Sequence, residues 1–414
     1  MAERVIKRGT SAKLGKVDGD LRIGKNVKIA PESGKKIVVT GTATLEGRAI
    51  VEGSFECQSI VLKGRGWGPE GDVDVEGDLT VRGTTDLDGT LRVSGTISSG
   101  DMDVAGHMRA GSIASKRLRV GGHLEVKGRL EAGDVDVGGH MKVRDEVMIR
   151  NLNAGGHATI GGGRIDGEIK VRGHLTTERA LAFGTIQVYG RTTLPAGCSG
   201  ERISALGKVE FEGDADCKEL VITGGAIVRG NMKSENVEVR GSLTAGGNML
   251  VANRFGVFGA VDAKGAIECR ELGVSGKLTA GKLSSSERTY IVGEVNTRSG
   301  LKSEFVAIGK GSKVTGPLIG NQVDIGKEVN LGSMWGLPWW RNAVGRITTV
   351  EDVYGRDVRI GPNSHARRVL AEVVELADGG KAEEVNYTKE LRLPKNYHLT
   401  KPPVKVASLP DSPF

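Results

Sequence analysis

Aromatic side chains are scarce, at 4% of 414 residues, and the chain holds only 11 prolines and four cysteines. Cys57, Cys198, Cys217 and Cys269 have neither CxxC pairing nor zinc-finger spacing, which argues against a redox motif and a metal knuckle. They read instead as small core residues. Long hydrophobic runs are also missing: no stretch approaches the roughly 18 apolar residues of a membrane helix. The start, Met1 to Thr10, is polar and basic and lacks the apolar centre of a signal peptide, so a cytoplasmic location is expected. The apolar share of 38% is nevertheless too high for a disordered chain.

What the chain has in abundance is glycine, 64 residues of it. Gly106, Gly122, Gly139, Gly156, Gly173, Gly190, Gly207, Gly224, Gly241, Gly259, Gly276, Gly293, Gly309 and Gly326 follow one another at intervals of 16 to 18 residues. A phase held over so many stations marks a solenoid, in which each repeat is a coil that buries its apolar face only by stacking on its neighbours. Two residues before the stations stand Val104, Val120, Val137, Val171, Val188, Ile222, Val239, Val257 and Val274. Two after stand Met108, Leu124, Met141, Leu175, Val209, Leu243, Val261 and Leu278, and four after stand Ala110, Val126, Val143, Ile160, Phe211 and Val228. Apolar residues alternating with charged or small ones predict half-buried strands.

Secondary glycines such as Gly89, Gly95, Gly100 and Gly111 divide the repeat into about three short strands per coil, with glycine expected at the corners because it tolerates positive φ. The fold class predicted is all-β: a single-stranded β-helix, or β-solenoid, of roughly 22 coils and about 100 Å at a strand spacing near 4.8 Å. Residues 1–12 read as a polar leader, 13–391 as the solenoid and 392–414, with Pro394, Pro402, Pro403, Pro410 and Pro413, as a flexible tail. The period is looser near the N-terminus. Loops are expected at Gly64 to Gly71, around Trp67 and Pro69, and at Ser284 to Glu287. His365 to Ala377 fits a helical period, but Val374 and Leu391 lie seventeen apart, which favours strands.

A stack of coils ends in unpaired backbone groups, and such edges associate unless they are covered. Alternation begins already at Leu21, Ile23, Val27 and Ile29, so no capping element is expected ahead of it. Leu21 and Ile23 at one end, and Val385 and Leu391 at the other, are therefore the candidate residues of a self-association surface.

The segments GDVDVEGDLTVRG (71–83), GDMDVAGHMRAG (100–111), GDVDVGGHMKV (133–143) and NVEVRGSLTAG (236–246) resemble bactofilins, the polymer-forming cytoskeletal proteins. The resemblance spans about residues 13–391 and rests on composition and period. It implies a right-handed, roughly triangular β-helix that polymerises end to end without nucleotide as a cytoplasmic scaffold. The chain differs in its greater length and in having no evident apolar N-terminal membrane-targeting peptide.

Chemical motifs are few, and no catalytic, cofactor-binding or metal-ligating set is predicted. GKLTAGKL (276–283) approaches a phosphate-binding loop, but Leu283 stands where Ser or Thr would bind magnesium. His107, His123, His140, His157 and His174 each follow a station glycine, so stacked coils would set their imidazoles in a ladder about 5 Å apart. The net charge of +7 is spread along outward positions without a recognised nucleic-acid motif, which argues against nucleic acid as a partner. Trp335, Trp339 and Trp340, beside Pro338, offer a lateral or membrane contact, and Lys395, Lys401 and Lys405 an acidic surface or client protein. The function expected is a non-enzymatic scaffold that forms filaments of itself without cofactors. Two alternatives stand against it: a glycine-rich β-helix subunit of a larger enzyme complex, whose repeats GGHM (138–141) and GGNM (246–249) resemble, and a hexapeptide-type acyltransferase, whose coil would keep a strict eighteen-residue period.

Overall fold

A computed structural model describes residues 3–62, 71–329, 347–395 and 397–413. Among these every regular element is a β-strand, and every strand pairing given by register is parallel. The chain divides into two units, Met1–Glu201 and Arg202–Phe414. Both are β-solenoids, and the coils number about 22 in all.

In the first unit the period can be read from one inward column. Leu91 pairs with Met108, Met108 with Leu124, Leu124 with Met141, Met141 with Ala158, and Ala158 with Leu175. Some earlier pairings are longer, Leu21 with Ala43 and Phe55 with Leu79, while Glu3 pairs with Asp20 and Thr42 with Ser59 at the usual interval, so the looser N-terminal period is real. There the strands Glu3–Ile6, Ser11–Leu14 and Lys16–Val17 pair with Asp20–Ile23, Val27–Pro31 and Lys36–Val39 respectively. Later strands run through corners, as in the 14-residue strand Leu91–Val104.

The second unit has its own inward column, Val209, Ala226, Leu243, Val261, Leu278, Val295, Val314, Val350, Ala366 and Ala382, each paired with the next. Val314 pairs directly with Val350. His365 lies in the strand Ser364–Leu376, not in a helix, and Val374 pairs with Leu391.

The alternation expected from the sequence is the core. All the apolar residues named two before, two after and four after the stations are buried. Each buried Leu, Val, Ile or Phe contributes about 1.5–3 kcal/mol over its exposed state, and stacking supplies that burial in every coil. The four cysteines are buried among them. Burial pushes Cys57, Cys217 and Cys269 up to about 12 and raises Cys198 as well. A thiol reagent at pH 8 should therefore leave the native chain unmodified and label all four thiols once denaturant is added. Rapid labelling without denaturant would mean that the coils open.

Three expectations need correction. The corner glycines Gly89, Gly95, Gly100 and Gly111 do not adopt the positive φ expected of them, and among the fourteen station glycines only Gly326 does. A Cβ on Gly122, Gly139 or Gly156 would instead lie 2.6 Å from the carbonyl oxygen of the station glycine one coil before. Ser284 to Glu287 is not a loop, because the strand Lys282–Ile291 passes through it and takes up the extra residue as a bulge between Ser285 and Arg288. The coils also begin earlier and end later than expected. Glu3–Ile6 and Ser11–Leu14 of the supposed leader are already strands, and His398–Leu399 and Val404–Lys405 of the supposed tail pair with Gly380–Arg392. The loop expected around Trp67 and Pro69 lies outside the described residues.

Candidate functional site

Two features of the coils carry chemistry: a column of histidines and the outer edges of the terminal coils. The histidines follow from the strand period. Each imidazole precedes an inward residue of the column Met108, Leu124, Met141, Ala158 and Leu175, so parallel pairing sets all five on one outward line. All five are exposed. Ring centroids are 4.8 Å apart from His107 to His123 and from His123 to His140, 4.9 Å from His140 to His157 and 4.5 Å from His157 to His174. The first three pairs lie within 9° of parallel, and the last is tilted by 32°.

From His123 to His174 neighbouring rings meet through their nitrogens. Nδ1 of His140 lies 3.0 Å from Nε2 of His123, Nδ1 of His157 3.0 Å from Nε2 of His140, and Nδ1 of His174 2.5 Å from Nε2 of His157. Each contact takes one N–H and one lone pair, so neutral rings satisfy it with all their N–H groups pointing the same way along the column. Each lone pair is thereby directed at a neighbouring ring's N–H instead of converging with the others on a shared point. Among the described residues no group of three or more His, Cys, Asp or Glu could hold a metal ion.

The groove beside His107, His123 and His140 is lined by Thr90, Arg92, Arg109, Glu125 and Lys142. Glu125 bridges Arg109 at 2.8 Å and Arg144 at 3.2 Å. Burial raises the pKa of this carboxyl, but the two guanidiniums outweigh it and hold the group below the usual carboxylate range. His123 is pushed below its ordinary value first by desolvation, then by the neighbouring His107 and His140.

In the second unit the position paired with a histidine or preceding an inward residue is occupied in turn by Lys277, Glu294, Lys313, Thr349, His365, Lys381 and His398, each paired with the next. His365 and His398 thus repeat the placement that the first five share. The sequence reading missed them because Ser364 and Tyr397, not glycine, precede them.

The terminal coils are built differently. Leu21 and Ile23 are buried one coil in from the first, beneath Arg4 and Ile6. Ile6, Leu14 and Val17 are the inward residues of the first coil, and among the described residues Glu3–Ile6 has a partner strand on one side only. At the other end Val385 is buried and pairs with Val369, while Leu391 is half-buried. The edge of their strand is occupied: Lys381 and Ala382 pair with His398 and Leu399, and Asn386 and Tyr387 with Val404 and Lys405. Trp335, Trp339 and Trp340 lie outside the described residues.

GKLTAGKL is read off as the strand Lys277–Ala280 running on to Lys282–Ile291, with no helix after its glycines to present backbone N–H groups to a phosphate. No helix among the described residues is long and apolar enough to cross a membrane. Comparison with known proteins returns no similarity: no family model, no curated protein and no solved structure matches this chain.

Proposed function

We propose that the chain is a structural protein without enzymatic activity that assembles copy upon copy through the edges of its terminal coils. The reading is that of a cytoplasmic scaffold of the bactofilin kind, built of right-handed, three-sided coils. The threefold skip in the pairings of Glu3–Val17 with Asp20–Val39 supports the three-sided coil.

One observation carries the assembly reading. The edge of Gly380–Arg392 has recruited two strands of only two residues each, in the same parallel sense that joins every coil to the next. A coil edge in this protein therefore binds a strand with little further inducement. The partner a second copy offers is its first coil, whose inward Ile6 is 8% exposed and covered on one side by Ile23.

Light scattering and electron microscopy of the purified protein, with neither nucleotide nor metal added, test this. Filaments are expected to grow with protein concentration. Ile6→Arg would set a charge where the second copy must pack, at a cost of several kcal/mol if it is buried unpaired. Circular dichroism confirms that the variant is folded, and the folded variant should fail to assemble. Filaments of the variant equal to those of the parent would sink the proposal, and stable co-purification with unlike subunits would favour a component of a larger complex.

A further inference from the structure

The terminal segment crosses the edge of the last coil. Thr400 N donates to Ala382 O at 3.2 Å, Lys401 N to Glu383 O at 2.9 Å and Val406 N to Tyr387 O at 2.8 Å. Lys401 Nζ also lies 2.8 Å from Glu384 Oε2, and that carboxyl is held below its ordinary range first by this hydrogen bond. Beyond it, Leu409, Pro410 and Ser412 line a groove with Lys302, Tyr354 and Glu372 on the flank of earlier coils of the same unit. The segment is thus held at two places, on the edge and on the flank.

Its composition is that of a strand terminator. Pro402 and Pro403 separate the two short strands, and proline has no N–H to offer a further strand. Lys401 and Lys405 are exposed, and short, lysine-bearing, proline-interrupted strands are what natural sheets use to stop edge-to-edge growth.

The charges identify what this segment replaces. The first coil exposes Arg4, Lys7, Arg8, Lys13 and Lys16 against Glu3 and Asp18. The last coil and its turn carry Asp378, Glu383, Glu384 and Glu390 against Lys381, Lys389 and Arg392, an excess of one acidic group where the first coil has an excess of basic ones. The terminal segment is basic like the first coil, and its Lys401 takes an acidic group of the last. Stacking a first coil on a last coil keeps every strand parallel, as throughout both units, whereas joining two like ends would require antiparallel pairing.

We propose that residues 397–413 are a displaceable cap, and that the last-coil edge beneath them is the docking surface for the basic first coil of a second copy. This rests on the assembly reading above and adds the gate that controls it. The cap and the incoming coil compete for the backbone groups of Lys381–Tyr387, so assembly of the intact chain is held back until the cap lifts.

The test compares the critical concentration for assembly, by light scattering, of the full chain, the chain ending at Arg392, and full-length Thr400→Pro with Val406→Pro, which removes two donors of the cap. Circular dichroism and thermal melting confirm that each is folded, and the proline variant stands in should the shortened chain fail to fold. Removing or loosening the cap should lower the critical concentration about tenfold, the worth of roughly one net hydrogen bond. Adding Ile6→Arg to the shortened chain should abolish the gain. If the full chain and both variants assemble alike, the cap inference fails and the assembly reading stands. If none assembles, both fail. Assembly of the shortened chain that survives Ile6→Arg would show that the occupant is not the first coil and would overturn the proposal.

Discussion

Gly139→Ala is expected to destabilise the first unit by about 1–3 kcal/mol, and Gly139→Val by more, although alanine ordinarily stabilises a strand relative to glycine. The added Cβ would lie 2.6 Å from Gly122 O, closer than real Cβ contacts come. That oxygen cannot withdraw, because it accepts a hydrogen bond from Gly139 N itself at 3.0 Å. Stiffening the unfolded chain returns only about 0.4–1 kcal/mol, so the clash decides the sign. Gly9 is the control: its φ is +70° and nothing lies within 4 Å of its would-be Cβ. Gly9→Asn, a residue that accepts left-handed backbone, should be nearly neutral. Denaturant melts of the three variants check the contrast. Equal small losses at Gly139 and Gly9 would mean that the glycine column answers to turn geometry and not to coil contact.

Lowering the pH from 7.5 to 5.5 should destabilise the first unit, and His123 in the histidine column contributes to this. His123 has its folded pKa below 6.5. Above 6.5 it is neutral in both states and contributes nothing to pH dependence. As the pH falls through 6.5 the unfolded chain takes up the proton first, so stability drops until the folded pKa is passed and levels off below it. Two adjacent charged rings would also set N–H against N–H across a contact of 3.0 Å, so successive protonations oppose one another. The surrounding Arg92, Arg109 and Lys142 add to this repulsion and Glu125 subtracts from it. Replacing His123 and His140 by threonine should flatten the slope between pH 7 and 5.5, and added salt should weaken it in the parent. NMR titration would resolve the rings individually. An unchanged slope in the double variant would locate the pH dependence elsewhere.

The two predictions divide along the line between what the sequence determines and what tertiary structure decides. The spacing of Val104, Met108 and Ala110 and their counterparts specifies strands, their buried face and the period at which coils repeat, because alternation is a local property of the chain. The same spacing places His107 to His174 about 5 Å apart, since a residue at a fixed phase must fall on one line once coils stack. The reason for the glycines was not legible. It lies in the distance between Gly139 and a carbonyl one coil away, which only stacking creates. His365 and His398 escaped for a related reason: strand pairing, not a preceding glycine, puts them in phase with Lys381. The terminal segment shows the limit most plainly. Its prolines read as a departure from the coils, and locally they are, yet the open backbone of Gly380–Arg392 draws the chain back across itself. Sequence alone determined the repeating coil, because each coil's pattern is written within it. Which groups cover an edge was decided by the folded stack, because an edge exists only after the coils are assembled.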